Sequence, residues 1–310
     1  MPIRKSRRPS WLSDVLNKSL DKIESRESRA RVRQNSAGGY NYLIMMKIGI
    51  VGLGIVGSAV KHGFEKLGHS VSFHDIRLET KLEDVVGADV VYLCVPTPQS
   101  DTGKCDTSII EAVVSELMDT HKYDGVIAIK STVEPGTTVR LQRQFDNGKI
   151  CHVPEFLRER VAIADFIENH DICIIGTDSD EVFEVVKESH GYYPKQFIKL
   201  APTEAEISKY FNNVYNATLI TFANAFYEVC KLHEADYTRI KTAMVQRDHI
   251  SNKYLDCNEN LRGYGGMCLP KDTSAIAALV RENNLPIKLF EALIEDNKNY
   301  KTTVFEGMRL

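Results

Sequence analysis

The 310-residue chain is 43% apolar and 26% charged with a formal net charge of −3, a globular composition that gives no reason to expect nucleic acid as a partner. No apolar run reaches the roughly 20 residues of a membrane-spanning helix, so no membrane association is expected. Seven cysteines, an odd number without a Cys-x-x-Cys pair, read as reduced thiols of a cytoplasmic protein, most of them core fillers.

Residues 1–46 hold ten Lys/Arg against four Asp/Glu, a local charge of +6, and the remainder carries −9. A weak helical pattern near Trp11 to Ile23 and the linker-like "QNSAGG" mark residues 1–45 as a basic, mobile extension, with Met45 or Met46 as an alternative start. From Met46 the pattern changes. Short Val/Ile-rich runs at 47–51, 70–75, 88–95, 125–131, 148–153 and 171–176 alternate with segments of helical period. That alternation predicts a parallel sheet covered on both faces. After Leu200 the strands stop. "TEAEISKYFNNVYNATLITFANAFYEVCKLHEA" reads as one long helix opened by a capping box of Thr203 and Glu206. The expected fold class is α/β: a Rossmann-type doubly wound parallel sheet over 46–200, then an all-helical central domain over 201–310 that carries a glycine-cysteine loop.

The run "KIGIVGLGIVGSAVKHGFEKLGHSVSFHD" is a strand, Gly52-x-Gly54-x-x-Gly57, a helix and a second strand ending at Asp75, 23 residues after Gly52. Gly52 makes the tight turn, Gly54 lets a pyrophosphate approach the backbone, and Gly57 lets helix and strand pack closely. The phosphates then sit at the helix N-terminus. Asp75 is expected to accept hydrogen bonds from the adenosine ribose, which favours NAD over NADP, although Arg77 could hold a 2′-phosphate. "CVPTP" and "KSTVEPGT" follow later strands and face the same crevice, but Thr97 and Thr132 taken alone read as turn residues.

Three polar patches remain. In "PEFLRE", Glu155 and Glu159 are four apart and share a side if a helix begins there, an arrangement that a solvated helix face explains equally well. Glu206, Lys209, Asn213, Asn216 and Asn224 form a polar stripe on the long helix, either the wet side of an amphipathic helix or, the reading its low charge and carboxamides favour, the lining of a pocket. In "GYGGMCLPKD", Pro270 fits the first turn of a helix, placing Cys268 near its N-terminus beside Lys271. Those conditions favour a lowered thiol pKa, and Gly265 and Gly266 leave room for a substrate. No metal ligand set is evident.

With "GLGIVG", "VPTP", "KSTVEPGT", "PEFLRE", "EISKYFNN" and "GYGGMCLPKD" in this order, the chain resembles the UDP-glucose/GDP-mannose dehydrogenase family from about Lys47 to Asn299. The resemblance implies oxidation of a nucleotide-sugar alcohol, UDP-glucose above all, to the acid in two NAD-dependent hydride transfers. By motif, Cys268 is implied as the nucleophile that forms a thiohemiacetal and then a thioester. The same resemblance implies Lys209 and Asn213 as the holders of the oxyanion, Asp272 as the residue that positions water, and Glu159 as the candidate base for thioester hydrolysis. Thr132 falls where the family touches substrate, cofactor or water. Glu155, Phe156, Leu157 and Gly265 are implied in the substrate loops, and Val56, Thr97 and Lys271 as cofactor contacts. A homodimer through the long helix is implied as well. Two departures stand out: only 22 positions separate Asp75 from Thr97, where the family inserts a helical segment, and the chain ends where the family continues into a third, uridine-diphosphate-binding domain. The alternatives are a binding remnant that takes NAD or a nucleotide sugar without turnover, and a two-electron hydroxyacid dehydrogenase, which has no use for Cys268.

Overall fold

The structure is a computed structural model that describes residues 30–34 and 40–300. The helical pattern near Trp11 lies outside the described residues. Ala30–Gln34 (β1) and Tyr40–Ile44 (β2) pair as antiparallel strands, with Ala30 opposite Ile44 and Gln34 opposite Tyr40. No strand was expected before residue 47. The aromatic and branched residues of "YNYLI" suit a strand, a preference that the basic charge obscured.

The main sheet has seven strands: Lys47–Val51 (β3), Ser70–His74 (β4), Val90–Leu93 (β5), Val126–Ile129 (β6), Ile150–His152 (β7), Ile172–Gly176 (β8) and Gln196–Leu200 (β9). Their order is β4-β3-β5-β6-β7-β8-β9. The side-chain alternation shows why both faces need covering. Ile48, Ile50, Val90, Tyr92, Val126 and Ala128 enter one core, and Val51, Val91, Leu93, Ile127 and Ile129 enter the other. Ile55–Leu67 (α1), Ser108–Ser115 (α2), Thr137–Phe145 (α3), Ala162–Ile167 (α4) and Asp180–His190 (α5) are the helices of this part. Two features depart from the expected pattern. β7 meets β8 antiparallel through His152 and Gly176, so the sheet is parallel only within each of its two blocks. β9 was not among the predicted strands, because its alternation is masked by Gln196 and Lys199. Between β4 and β5 there is only a short turn of helix, Leu82–Val85, as the 22-residue spacing implied.

Pro202–Leu232 (α6) is the long helix, followed by Tyr237–Met244 (α7), Leu269–Glu282 (α8) and Leu289–Lys298 (α9). The expected Thr203–Glu206 capping box is absent. Glu204 accepts the Ala201 N–H instead, at 2.9 Å, because Pro202 opens the helix at N1 and moves the cap two positions upstream. Glu206 has another task. Only 1% exposed, its carboxylate takes the Gly136 N–H and, at 2.7 and 2.6 Å, the N–H and hydroxyl of Thr138. It thus supplies the acceptor at the N-terminus of α3, which has no side-chain cap of its own. Burial pushes the Glu206 carboxyl up, and these donors pull it back. Along the outer side of α6, Ile207, Phe211, Tyr215, Phe222, Phe226 and Val229 are exposed. Among the described residues no helix is long and apolar enough to cross a membrane.

Candidate active site

The chain passes from β3 to β4 on one side and then to β5 on the other, so a crevice opens at the carboxyl ends of β3 and β5. Gly52 turns there with φ +91°, and a Cβ would lie 2.7 Å from the Cys94 carbonyl oxygen. A Cβ on Gly57 would meet the Gly52 oxygen at 1.9 Å, whereas one on Gly54 would meet nothing within 4 Å. The open space at Gly54 faces the first turn of α1, whose N–H groups have no helical partner. This cradle fits a pyrophosphate. Val56 is half-buried in that turn, and Thr97 and Thr132 lie in the loops after β5 and β6. The Cys105 thiol, 3.2 Å from the Thr132 carbonyl oxygen, ties these two loops together.

Asp75 lies at the end of β4 as predicted, but its carboxylate is already engaged by the Leu53 N–H at 2.7 Å and by Arg77. The Arg77 guanidinium, with the backbone donors, holds its carboxyl far below the usual carboxylate range.

Cys268 is the residue before α8, with Pro270 in the first turn, as the sequence predicts. It is exposed, the only one of the seven free cysteines to be so. Asp272 lies one turn further on, and its N–H donates to the Cys268 carbonyl at 2.9 Å. The Asp272 side chain is fully buried. One oxygen accepts Asn213 Nδ2 at 2.6 Å and the other is 2.9 Å from Lys271 Nζ. One turn earlier on α6, Lys209 donates to the Glu155 carbonyl at 2.6 Å and to its carboxylate at 2.8 Å. Burial works against the Lys209 charge, but Glu155 and Asp272 outweigh it and hold the ammonium above the ordinary lysine value. Cys268 is close enough to feel these groups. Although the residue as a whole is exposed, desolvation where its sulfur meets these groups pushes its thiol up, Lys209 pulls it down, and Glu155 and Asp272 push it up again. The expected lowering is therefore corrected. The helix terminus and Lys271 are outweighed by desolvation and two nearby carboxylates.

Of the predicted residues, Cys268, Lys209, Asn213, Asp272, Lys271 and Glu155 come together. The Phe156 ring centroid is 5.8 Å from Lys209 Nζ, and the Leu157 N–H donates to Glu155 at 2.7 Å. Gly265 is half-buried in the loop before Cys268. Glu159 stands apart. No helix begins at Glu155; Arg158 instead closes a loop onto Asp165 through its N–H, Nε and Nη2, at 2.9, 2.9 and 2.7 Å. Glu159 follows on an exposed one-turn helix, Glu159–Val161. Lys271 pairs with Asp272.

Residues outside the predicted set hold the cysteine loop. Asn224 Oδ1 accepts Arg262 Nε at 2.7 Å and the Gly263 N–H at 3.2 Å. The Arg262 guanidinium carbon lies 4.7 and 4.8 Å from the ring centroids of Tyr227 and Tyr300 and pairs with Glu228. Asn297 on α9 receives the Tyr264 N–H at 2.7 Å and donates to the Tyr264 carbonyl at 2.9 Å. Asn224 was visible as part of the polar stripe. The arginine directly before the glycines was a usable signal, whereas Asn297 carried none. The other end of the site is fixed by α8, where Lys104 pairs with Glu282 at 2.6 Å and Arg281 donates to the Thr102 carbonyl at 3.3 Å.

A dinucleotide cradle at the sheet's switch point, next to a helical domain that presents a cysteine, a lysine and a carboxylate, defines an NAD-dependent dehydrogenase. The chain matches two family models, the UDP-glucose/GDP-mannose dehydrogenase family NAD binding domain over residues 75–193 and the same family's central domain over 203–299. Together they span well over half of it, and the chain belongs to the UDP-glucose/GDP-mannose dehydrogenase family. UDP-glucose 6-dehydrogenase AglM of Haloferax volcanii is 27% identical, with 85% of this chain and 72% of that protein covered. UDP-glucose 6-dehydrogenase TuaD of Bacillus subtilis is 28% identical, with 85% and 65% covered. The solved structure of a UDP-glucose dehydrogenase from Pyrobaculum islandicum superposes with a TM-score of 0.75 at 26% identity, covering 82% of this chain and 68% of that one. The chain thus spans about two thirds of the length of these relatives.

Proposed function

We propose that this protein oxidises the primary alcohol of UDP-glucose to the acid of UDP-glucuronate, removing four electrons per sugar. The observation that carries the reading is the convergence of Lys209, Asn213 and Asp272 behind an exposed cysteine at the start of α8. NAD bound at the glycine turn supplies the hydride acceptor for both oxidations. The chain's own residues do the rest. Lys209 is a buried cation one helical turn from Asn213, and the pair stabilises negative charge on the substrate oxygen. Cys268 adds to the aldehyde carbon, and the resulting thiohemiacetal is oxidised to a thioester. Asp272 orients the water that releases the acid. We assign the water-activating role to Asp272 and not to Glu159, which lies on an exposed turn.

The exposed apolar stripe on α6 supports pairing of two copies along that helix. The seven free thiols suit a reducing cytoplasm.

The test is to count NADH per acid formed from UDP-glucose, with GDP-mannose and UDP-N-acetyl sugars in parallel. Two NADH per acid is the expected result. One NADH per substrate without acid would move the chain to two-electron chemistry. Dinucleotide binding without turnover of any of these sugars would make it a binding protein.

A further inference from the structure

The carboxylate of Asp75 has no acceptor position left for a ligand. One oxygen takes the Leu53 N–H at 2.7 Å and Arg77 Nη2 at 2.8 Å; the other takes the Arg77 N–H and Nε, both at 2.9 Å. An ionised carboxylate offers about four acceptor sites, and these four donors fill them. The Asp75 side chain is 5% exposed, while that of Arg77 stays 66% exposed. Arg77 Nη2 also donates to the Leu53 carbonyl at 3.0 Å. The guanidinium therefore reaches from the end of β4 to the glycine turn after β3. Among the described residues its Nη1 donates to nothing.

At the position where an acidic side chain ordinarily receives the adenosine ribose and repels a 2′-phosphate, the charge facing outward here is positive. We propose that Arg77 sets the dinucleotide preference of this chain and lets it bind NADP alongside NAD. A carboxylate excludes a 2′-phosphate while its charge is open, and a guanidinium paired through two nitrogens closes it. The outer edge of the same planar group donates to a phosphate with matching geometry, and to a ribose hydroxyl more weakly. The proposal rests on the dinucleotide-binding part of the reading above and is independent of the sugar chemistry.

Titrating the full chain with NADH and NADPH by cofactor fluorescence, without any sugar, tests it. The expected dissociation constants lie within about tenfold of each other. Arg77→Ala then weakens NADPH binding by about tenfold or more and NADH binding by less than about threefold, because the uncovered Asp75 repels the phosphate and accepts the ribose. Arg77→Lys, which keeps the charge but not the fork, falls between the two for NADPH. NADPH binding more than about a hundredfold weaker than NADH in the parent chain, or an unchanged ratio in Arg77→Ala, overturns the proposal. Failure of both dinucleotides to bind overturns it together with the cofactor assignment. Tight binding of both without sugar turnover supports it and removes only the catalytic reading.

Discussion

The Lys209 ammonium sits between the carbonyl and the carboxylate of Glu155, 2.6 and 2.8 Å away, and so pins the loop after β7 to the N-terminal part of α6. Both side chains are nearly buried, at 5% and 10% exposure. Removing one partner leaves a buried charge uncompensated, which costs about 3–5 kcal/mol. Glu155→Ala should lower unfolding stability in urea by about that amount. The pH dependence follows from the raised Lys209 pKa. Its contribution is fully present below the unfolded lysine value of about 10.4 and is lost as pH rises through the folded value. The parental chain should therefore lose this increment only under strongly alkaline conditions, and Glu155→Ala should show a flatter alkaline limb. Equal stability of the two chains at neutral pH would remove the pair from the account.

Cys268 is exposed, yet its thiol is held above the ordinary cysteine range. Alkylation by iodoacetamide in the native state should label this residue first. Its rate should still be climbing at pH 9, since the thiolate is the reacting form. Lys209→Met removes the cation that pulls the thiol down, so the same profile should move to higher pH. A plateau below pH 8 in the parent would show an activated thiolate of the kind the sequence suggested.

Asn297 closes a reciprocal pair of hydrogen bonds on the backbone of Tyr264, three residues before Met267 and four before Cys268. Asn297→Ala deletes both at a cost of about 1 kcal/mol each. Hydrogen exchange of the Tyr264 amide should accelerate markedly while amides of β3 and β5 keep their protection. Unchanged exchange at Tyr264 would show that Asn224 and Arg262 hold the loop unaided.

Phe222 and Phe226 are about half exposed one turn apart on α6, with ring centroids 4.6 Å apart. If two copies pair there, Phe222→Glu should convert a dimer to a monomer in light scattering at micromolar concentration without lowering the melting temperature of the monomeric fold. A monomeric parent would leave the stripe without this partner.

The cofactor end was legible in the sequence because its constraints are local. A turn with positive φ, a close approach at Gly57 and an acid at the end of the next strand all fall within 24 residues. The same locality explains the correct placement of Cys268 before a helix opened by Pro270. The misreadings came from long-range partners. Glu206 looked like its own helix's cap and instead serves α3, 70 residues away along the chain. Glu159 shared a helical spacing with Glu155, but Arg158 folds back on Asp165 before a helix can start. The thiol of Cys268 was judged by its sequence neighbours, Pro270 and Lys271, whereas desolvation in the folded site outweighs them and the distant Glu155 adds to it. Strand direction between β7 and β8 carried no sequence signature.

The central claim is that Cys268 forms the bond that carries the sugar between its two oxidations. The most direct measurement is acid formation from UDP-glucose and NAD by Cys268→Ala beside the parent, with NADH binding of both measured in the same preparations. The account predicts no acid from the variant and NADH affinity within about threefold of the parent. Acid produced by Cys268→Ala at the parental rate would contradict it.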